Sequence, residues 1–217
     1  MERTSTIKEA QKIMDINMIG PDELKKINNV NLFLNLDLLN QKKVKSIPFN
    51  NELLNKKKHT HLLILIIPEY FTKQDLQFKN FRDYFGFDPN IKQPCFYNQD
   101  WYLNEAFYVN SKLELKWVLV QKEISQLSRG IDPEKFINPI DNMHNSLTYT
   151  YIFFIYYLSK NKILWQYDYV WCSDFDSNQD QIYLGRYLDP NKINKNGFSI
   201  HRHLKIKNNY GISNIMQ

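Results

Sequence analysis

The segment at residues 61–67, HLLILII, constrains the fold more than any other part of the chain. It is continuously apolar after its first residue, it follows a polar run, and Pro68 ends it. An apolar run of this length is typical of a strand that is covered on both faces of a sheet. The sequence therefore predicts a central buried strand with other elements packed over it.

Two short helices are predicted in residues 4–28. Thr6 is followed three residues later by Glu9, which is the spacing of a capping box. Gly20-Pro21 then ends the first helix and begins the second, since proline suits a first helical turn. Further helices are predicted from apolar spacing and flanking polar residues at 48–58 and 146–158, the latter with Ser146 as its cap, and a loop-and-helix segment packed by its aromatic side chains is predicted at 71–85.

The last third of the chain has the strongest strand character. Residues 165–172 and 181–188 flank the turn-rich sequence DFDSNQD, which predicts a long hairpin. Residues 199–206, SIHRHLKI, alternate apolar and polar side chains and predict a final strand, and residues 113–124 predict an earlier one. Segments 30–45 and 131–144 are expected to be a linker and a loop with little regular structure.

Together these elements predict an α+β fold. We expect a mixed or mostly antiparallel sheet with packed helices, preceded by a small helical segment. The predicted division is a helical N-terminal segment at 1–46 and an α+β core domain at 47–217.

Composition restricts the class of partner and the compartment. The 217 residues have a net charge of +5 and an aromatic share of 15%, which is compatible with an anionic partner such as nucleic acid. The first residues lack the apolar stretch of a secretory signal, and the longest apolar run, 151–158, is far below the ~20 residues that span a membrane. We therefore expect a cytoplasmic protein without a membrane partner. The sequence predicts no oligomeric state.

Oxygen-bearing side chains recur at every second position in Asp174, Asp176, Asn178 and Asp180. This spacing resembles the start of a calcium loop, but Gln179 and Gly185 stand where an EF-hand requires Gly and Glu. We favour a hairpin turn whose carboxylates accept hydrogen bonds from nearby backbone N–H groups.

His201 and His203 are predicted to lie on one face of the last strand, where two imidazoles could hold a divalent metal. A half-exposed strand face is the alternative. With Asp174, Asp176 and Arg186, the two histidines are the candidate catalytic residues of a metal-dependent hydrolase or nuclease. No cofactor is predicted beyond that metal.

Two basic clusters are candidates for contact with a phosphate backbone, namely Lys42, Lys43, Lys45 and Lys56, Lys57, Lys58. Arg202 joins them as a candidate nucleic-acid-binding residue. Such runs also occur as solvated helix ends and linkers. The preferred hypothesis is a non-enzymatic binding or accessory protein that contacts nucleic acid or another protein, and the hydrolase is the alternative. Whether the chain is an enzyme stays open.

The order of motifs resembles a family of uncharacterised bacterial proteins. The similarity includes EAQKIMDINMIGPDELKKI near the start and YDYVWCSDFDSNQDQIYLG later in the chain. That family has a "YVRCSDLDSDG…VYVG" hairpin, whereas here Trp171 replaces the arginine and Gln179 stands where glycine is usual. The resemblance implies a shared C-terminal hairpin and brings no function with it.

Overall fold

The computed structural model describes residues 4–30, 34–135 and 143–217. The helices are α1 (Ile7–Met14), α2 (Pro21–Val30), α3 (Asn51–Lys57), α4 (Phe78–Phe85), α5 (Ala106–Asn110) and α6 (Ser146–Lys160). The strands are β1 (Ser5–Thr6), β2 (Met18–Ile19), β3 (Ser46–Ile47), β4 (His61–Ile66), β5 (Lys116–Gln121), β6 (Tyr169–Phe175), β7 (Gln181–Gly185), β8 (Ser199–His201), β9 (Tyr210–Gly211) and β10 (Ile215–Met216). The predicted α+β class is confirmed.

Parts of the expected linker at 30–45 and of the expected loop at 131–144 lie outside the described residues, at 31–33 and 136–142. The rest of the chain forms two compact units. The first comprises Met1–Leu76, Leu113–Lys122 and Ile215–Gln217, and the second comprises Gln77–Lys112 and Glu123–Asn214. The predicted boundary between 46 and 47 falls inside the first unit, and as a domain boundary it stays a prediction.

The first unit contains a four-stranded sheet in the order β10-β5-β4-β2. Strand β4 pairs antiparallel with β5 and parallel with β2, and every residue of β4 is buried. The prediction of a central buried strand is therefore confirmed. The capping box of α1 is also present, because Glu9 N–H donates to the Thr6 hydroxyl and Thr6 N–H donates to the Glu9 carboxylate.

The second unit contains a four-stranded sheet in the order β8-β7-β6-β9. Strands β6 and β7 form the predicted antiparallel hairpin, and β9 pairs parallel with β6. The predicted last strand at 199–206 is too long, because β8 ends at His201. His203 has φ +62, a left-handed conformation that a strand residue does not adopt.

Helix α6 is the core element of the second unit. Its residues from Ser146 to Ile155 are all buried, and the Phe154 ring stacks on Phe85 and Phe96 at centroid distances of 4.1 and 4.8 Å. The buried helix is as predicted, but its cap is Asn145, whose side chain accepts the Thr148 N–H at 2.8 Å.

At 15 residues, α6 is also the longest helix in the described ranges. None of the helices found there has the length and apolar content needed to cross a membrane.

Candidate functional site

Aromatic rings cover one face of the second unit's sheet. The buried members, drawn from β6, β7 and β9, are Tyr169, Trp171, Tyr183 and Tyr210. Tyr169 and Trp171 are two residues apart, so both point to the same side of β6. The register places Tyr183 opposite Trp171 and Tyr210 beside Tyr169. Strand pairing therefore brings these rings together on one face, although Tyr169 and Tyr210 are about 40 residues apart in the sequence.

A cleft of about 710 Å³, here called the tyrosine cleft, adjoins this surface. Its lining consists of three tyrosines, three cationic residues and four other residues: Tyr167, Tyr169, Tyr210, Arg186, Lys205, Lys207, Pro190, Asn191, Leu204 and Asn209. Tyr169 and Tyr210 are each only 3% exposed, whereas Tyr167 is 52% exposed. The volume is in the range typical of small-ligand sites.

The tyrosine cleft has an unbalanced positive charge. It is lined by Arg186, Lys205 and Lys207, and no carboxylate is found among the described residues that line it. Lys205 and Lys207 are exposed, and neither forms an ion pair within the described part of the chain. Arg186 lies 5.9 Å from the centroid of the Tyr169 ring, and its Nη2 is 3.2 Å from Asp189. Such a surface attracts anions.

A sharp turn at the end of β7 places Arg186 in the cleft. Gly185 has φ +116, and a Cβ there would lie 2.6 Å from the Asp168 carbonyl oxygen, so only glycine fits. Arg186 follows with φ +39, and its N–H donates to the same carbonyl at 2.7 Å. A left-handed conformation at a non-glycine residue costs about 1 kcal/mol, and strained positions of this kind occur often at functional sites.

A second, smaller cavity of about 210 Å³, here called the polar chamber, shares Tyr169, Arg186 and Leu204 with the tyrosine cleft. Its remaining lining is mainly polar: Tyr97, Tyr187, Leu188, Asp189, Asn194, Lys195, Ser199 and His201. The two cavities are therefore adjacent, and Arg186 lines both of them.

His201 is uncharged in this chamber near neutral pH. Burial, with the positive charge of Arg186, lowers the pKa of His201 to about 4. Burial also raises the pKa of Tyr169, against the opposing effect of Arg186, and it raises the pKa of Tyr210 to about 12. Tyr169 and Tyr210 are therefore neutral phenols and do not offset the charge of the nearby cations.

Asp189 is the carboxylate of the chamber wall. It accepts the backbone N–H groups of Asn191, Ile193 and Asn194 at 3.1, 3.1 and 2.8 Å. The Asn194 N–H is the main cause that lowers the pKa of Asp189 below its usual value. With Arg186 also bound to it, this carboxylate organises the 189–194 loop.

The predicted acidic cluster is a hairpin turn closed by an arginine. One oxygen of Asp176 accepts the N–H groups of Asn178 and Asp180, both at 2.8 Å, and the other oxygen pairs with Arg202. Burial alone would raise the pKa of Asp176, but the Asp180 N–H and then Arg202 lower it below its usual value. The carboxylate thus caps backbone amides as expected for a turn.

Part of the predicted metal constellation does come together. Ligand atoms of Asp176, Asp180 and His203 lie within 4.8 Å of one another. His203 Nδ1 is 3.2 Å from Asp180. Within the described ranges, these three residues are the group that could hold a metal, although the guanidinium of Arg202 already balances Asp176.

Asp174 and His201 have other partners. Asp174 accepts the backbone N–H and the hydroxyl of Ser146, while burial raises its pKa. The His201 ring contacts the Gln99 amide and belongs to the polar chamber. The expectation that His201 and His203 share a strand face is wrong because β8 ends between them.

The lysines predicted to bind nucleic acid lie in the first unit. The exposed members are Lys42, Lys43, Lys45 and Lys56, and the half-buried members are Lys57 and Lys58. Lys56 is paired with Glu52 at 2.6 Å. Arg202, in the second unit, pairs with Asp176 and lies 3.6 Å from Glu105. Among the predicted site residues, Arg186 is the one that lines the tyrosine cleft.

Sequence reasoning missed the cleft residues Tyr167, Tyr169, Tyr210, Lys205 and Lys207. The spacings Tyr-x-Tyr and Lys-x-Lys are visible in the sequence. The alternation at 199–206 predicts a strand that includes residues 205 and 206, however. The position of Tyr210 beside Tyr169 is visible only in the pairing of β9 with β6.

Comparisons of the chain with protein-family models, with curated proteins and with solved structures found no match. The resemblance to a bacterial family with a similar hairpin stays a prediction.

Proposed function

We propose that this chain is a binding protein that takes single-stranded nucleic acid in the tyrosine cleft. One observation supports the proposal most directly: the half-exposed Tyr167 ring and three cationic side chains line the same cleft, whose wall includes the buried Tyr169 and Tyr210, and no carboxylate is found there among the described residues. Cations bind backbone phosphates, and aromatic rings stack on bases of any sequence.

The tyrosines favour a single strand over a duplex. A ring can stack on a base only when that base is not already stacked inside a helix, so aromatic-lined sites prefer unpaired nucleotides. Tyr167 is half exposed and is therefore available to such a base. The exposed Lys205 and Lys207 supply charge for the backbone.

The proposal is tested by fluorescence anisotropy with a labelled single strand and the matching duplex, over a series of salt concentrations. Neutralising phosphates with three cations predicts that log K falls with log salt at a slope near −2, since each phosphate contact on a single strand contributes about −0.7. We expect the single strand to bind more tightly than the duplex.

The double variant Lys205→Ala/Lys207→Ala is expected to weaken binding about tenfold and to reduce the salt slope by about 1.4. The matched control is Lys42→Ala/Lys43→Ala, which removes the same charge from exposed positions of the first unit. An equal or larger loss in the control would assign binding to the first unit instead. Absence of binding at low salt would overturn the proposal.

A metal-dependent hydrolase is the second candidate, favoured by the approach of Asp176, Asp180 and His203. We place it second because a metal ion would have to displace Arg202 from Asp176, and freeing a buried carboxylate from its partner is costly. A rise in melting temperature with Mn²⁺ or Zn²⁺, abolished by Asp180→Ala, would support this candidate. An unchanged melting temperature would count against it.

A further inference from the structure

The polar chamber is a separate cavity beside the tyrosine cleft. At about 210 Å³ it is below the 300–1,000 Å³ typical of sites that hold a whole small ligand. It is nevertheless large enough for one compact charged group with some of its water, since a water molecule takes about 30 Å³ in the liquid. A ligand in the cleft could therefore extend one group, but not a whole nucleotide, into the chamber.

Donors converge on the chamber from different elements. Arg186, at the end of β7, and Lys195, in the loop before β8, both line it. The hydroxyl groups of Ser199 and Tyr97 complete the set, and each at present donates a long bond within the protein, to the Gly197 carbonyl at 3.2 Å and to Asn194 Oδ1 at 3.3 Å. Both hydroxyls can rotate toward a stronger acceptor.

The chamber's own carboxylate does not exclude an anion. Asp189 is bound by the backbone N–H groups of Asn191, Ile193 and Asn194 and by Arg186. Its charge is thus largely compensated inside the loop. His201, neutral beside it, offers one ring N–H as a donor and adds no negative charge.

We propose that the polar chamber binds a terminal phosphate of the strand that lies in the tyrosine cleft. This inference rests on the proposed function. Arg186, shared by the two cavities, would contact the strand at the point where it passes from the cleft into the chamber. The size of the chamber distinguishes an end from an internal position, because a chamber too small for a whole nucleotide admits a phosphate only where no further nucleotide follows it. Asp189 offsets the charge of Arg186, so Lys195 supplies the positive charge that a terminal monoester, with a charge of about −1.5 to −2 near pH 7, requires.

The test uses three labelled single strands of one sequence that end in a 5′-phosphate, in a 3′-phosphate or in hydroxyl groups at both ends. We expect one of the phosphorylated strands to bind about tenfold more tightly than the hydroxyl-ended strand. Lys195→Ala and Ser199→Ala are each expected to reduce this ratio toward one. Lys162→Ala, which removes an exposed lysine elsewhere in the second unit, should leave the ratio as it is.

The outcomes separate the two proposals. Equal binding of all three strands would overturn the terminal-phosphate assignment and leave the tyrosine cleft as a single-strand site. Binding of none would overturn both. Adenosine 5′-monophosphate is added as a competitor beside adenosine. If the monophosphate alone binds as tightly as the strand, the cleft and the chamber together hold a free nucleotide and the strand assignment is wrong.

Discussion

The second unit contains two groups of charged side chains that differ in whether their charges are balanced. The first group, here called the hairpin cluster, consists of Asp176, Asp180, Arg202, His203 and Glu105. Arg202 lies between Asp176 and Glu105, and His203 lies beside Asp180. In the tyrosine cleft, Lys205 and Lys207 have no acidic neighbour among the described lining residues. The sequence makes the hairpin cluster more conspicuous, yet its charges interact mainly with one another.

The difference shows what separates a structural ion pair from a binding surface. A buried carboxylate needs its cation, because an unpaired charge away from water is strongly unfavourable. Exposed lysines remain hydrated without a partner, and when they neutralise phosphates the counterions condensed on the nucleic acid are released to the solvent. A cluster of charged residues in the sequence therefore indicates a binding site less reliably than charged side chains that have no oppositely charged neighbour in the folded structure.

The largest expected effect is on the hairpin cluster. Arg202→Ala leaves the Asp176 carboxylate, whose side chain has no exposed surface, without its cation, and we expect the free energy of unfolding to fall by about 2–3 kcal/mol in urea denaturation. Lys205→Ala in the cleft is the comparison, with an expected change within about 0.5 kcal/mol. Similar values for the two variants would show that the cluster is not structural.

A smaller effect is expected in the cleft on ligand affinity. Tyr167→Ala removes the half-exposed ring and should weaken single-strand binding about tenfold, which is within the range for loss of one base–aromatic stack. Tyr167→Phe retains the ring and should bind nearly as well as the original chain. Phe87→Ala, which removes a ring of similar exposure at 50%, is the control. A loss shared equally by Phe87→Ala would contradict a stacking role for Tyr167.

The smallest effect concerns the histidine next to the cleft. The folded-state pKa of His201 is lowered from 6.5 to about 4, so between these values the unfolded chain binds a proton that the folded chain does not. Stability is therefore lost as the pH falls through this window, by about 1 kcal/mol between pH 6.5 and pH 5.5.

Urea titrations at these pH values should show that the free energy of unfolding depends less on pH in His201→Gln than in the original chain. If the free energy of unfolding changed with pH by the same amount in the original chain and in His201→Gln, His201 would not be held neutral by the fold.

Much of the local structure was predictable. The capping box at Thr6 and Glu9, the buried strand β4 and the buried helix α6 all follow from spacing and apolar runs. The hairpin of β6 and β7 was likewise predicted, as was the turn capped by Asp176. These features depend on neighbours within a few residues, which is the information that a sequence pattern contains.

The candidate site was predictable only at Arg186. The end of β8 at His201 separates the two histidines that alternation had placed together, and the chain beyond β8 supplies Lys205 and Lys207 to the cleft instead. No local pattern indicates where a strand stops pairing, because that depends on the partner strand β7 and its turn at Gly185.

The amino-acid sequence by itself determined the α+β class, the buried strand and helix, and the hairpin with its capped turn. Only the tertiary structure decided which charges are balanced and which remain open to a ligand. The parallel pairing of β9 with β6 brings Tyr210 beside Tyr169, and the approach of Arg202 to Asp176 neutralises the cluster that had looked most like a site. The physical reason is that burial and Coulomb attraction depend on distance in space, which the order of residues along the chain does not specify.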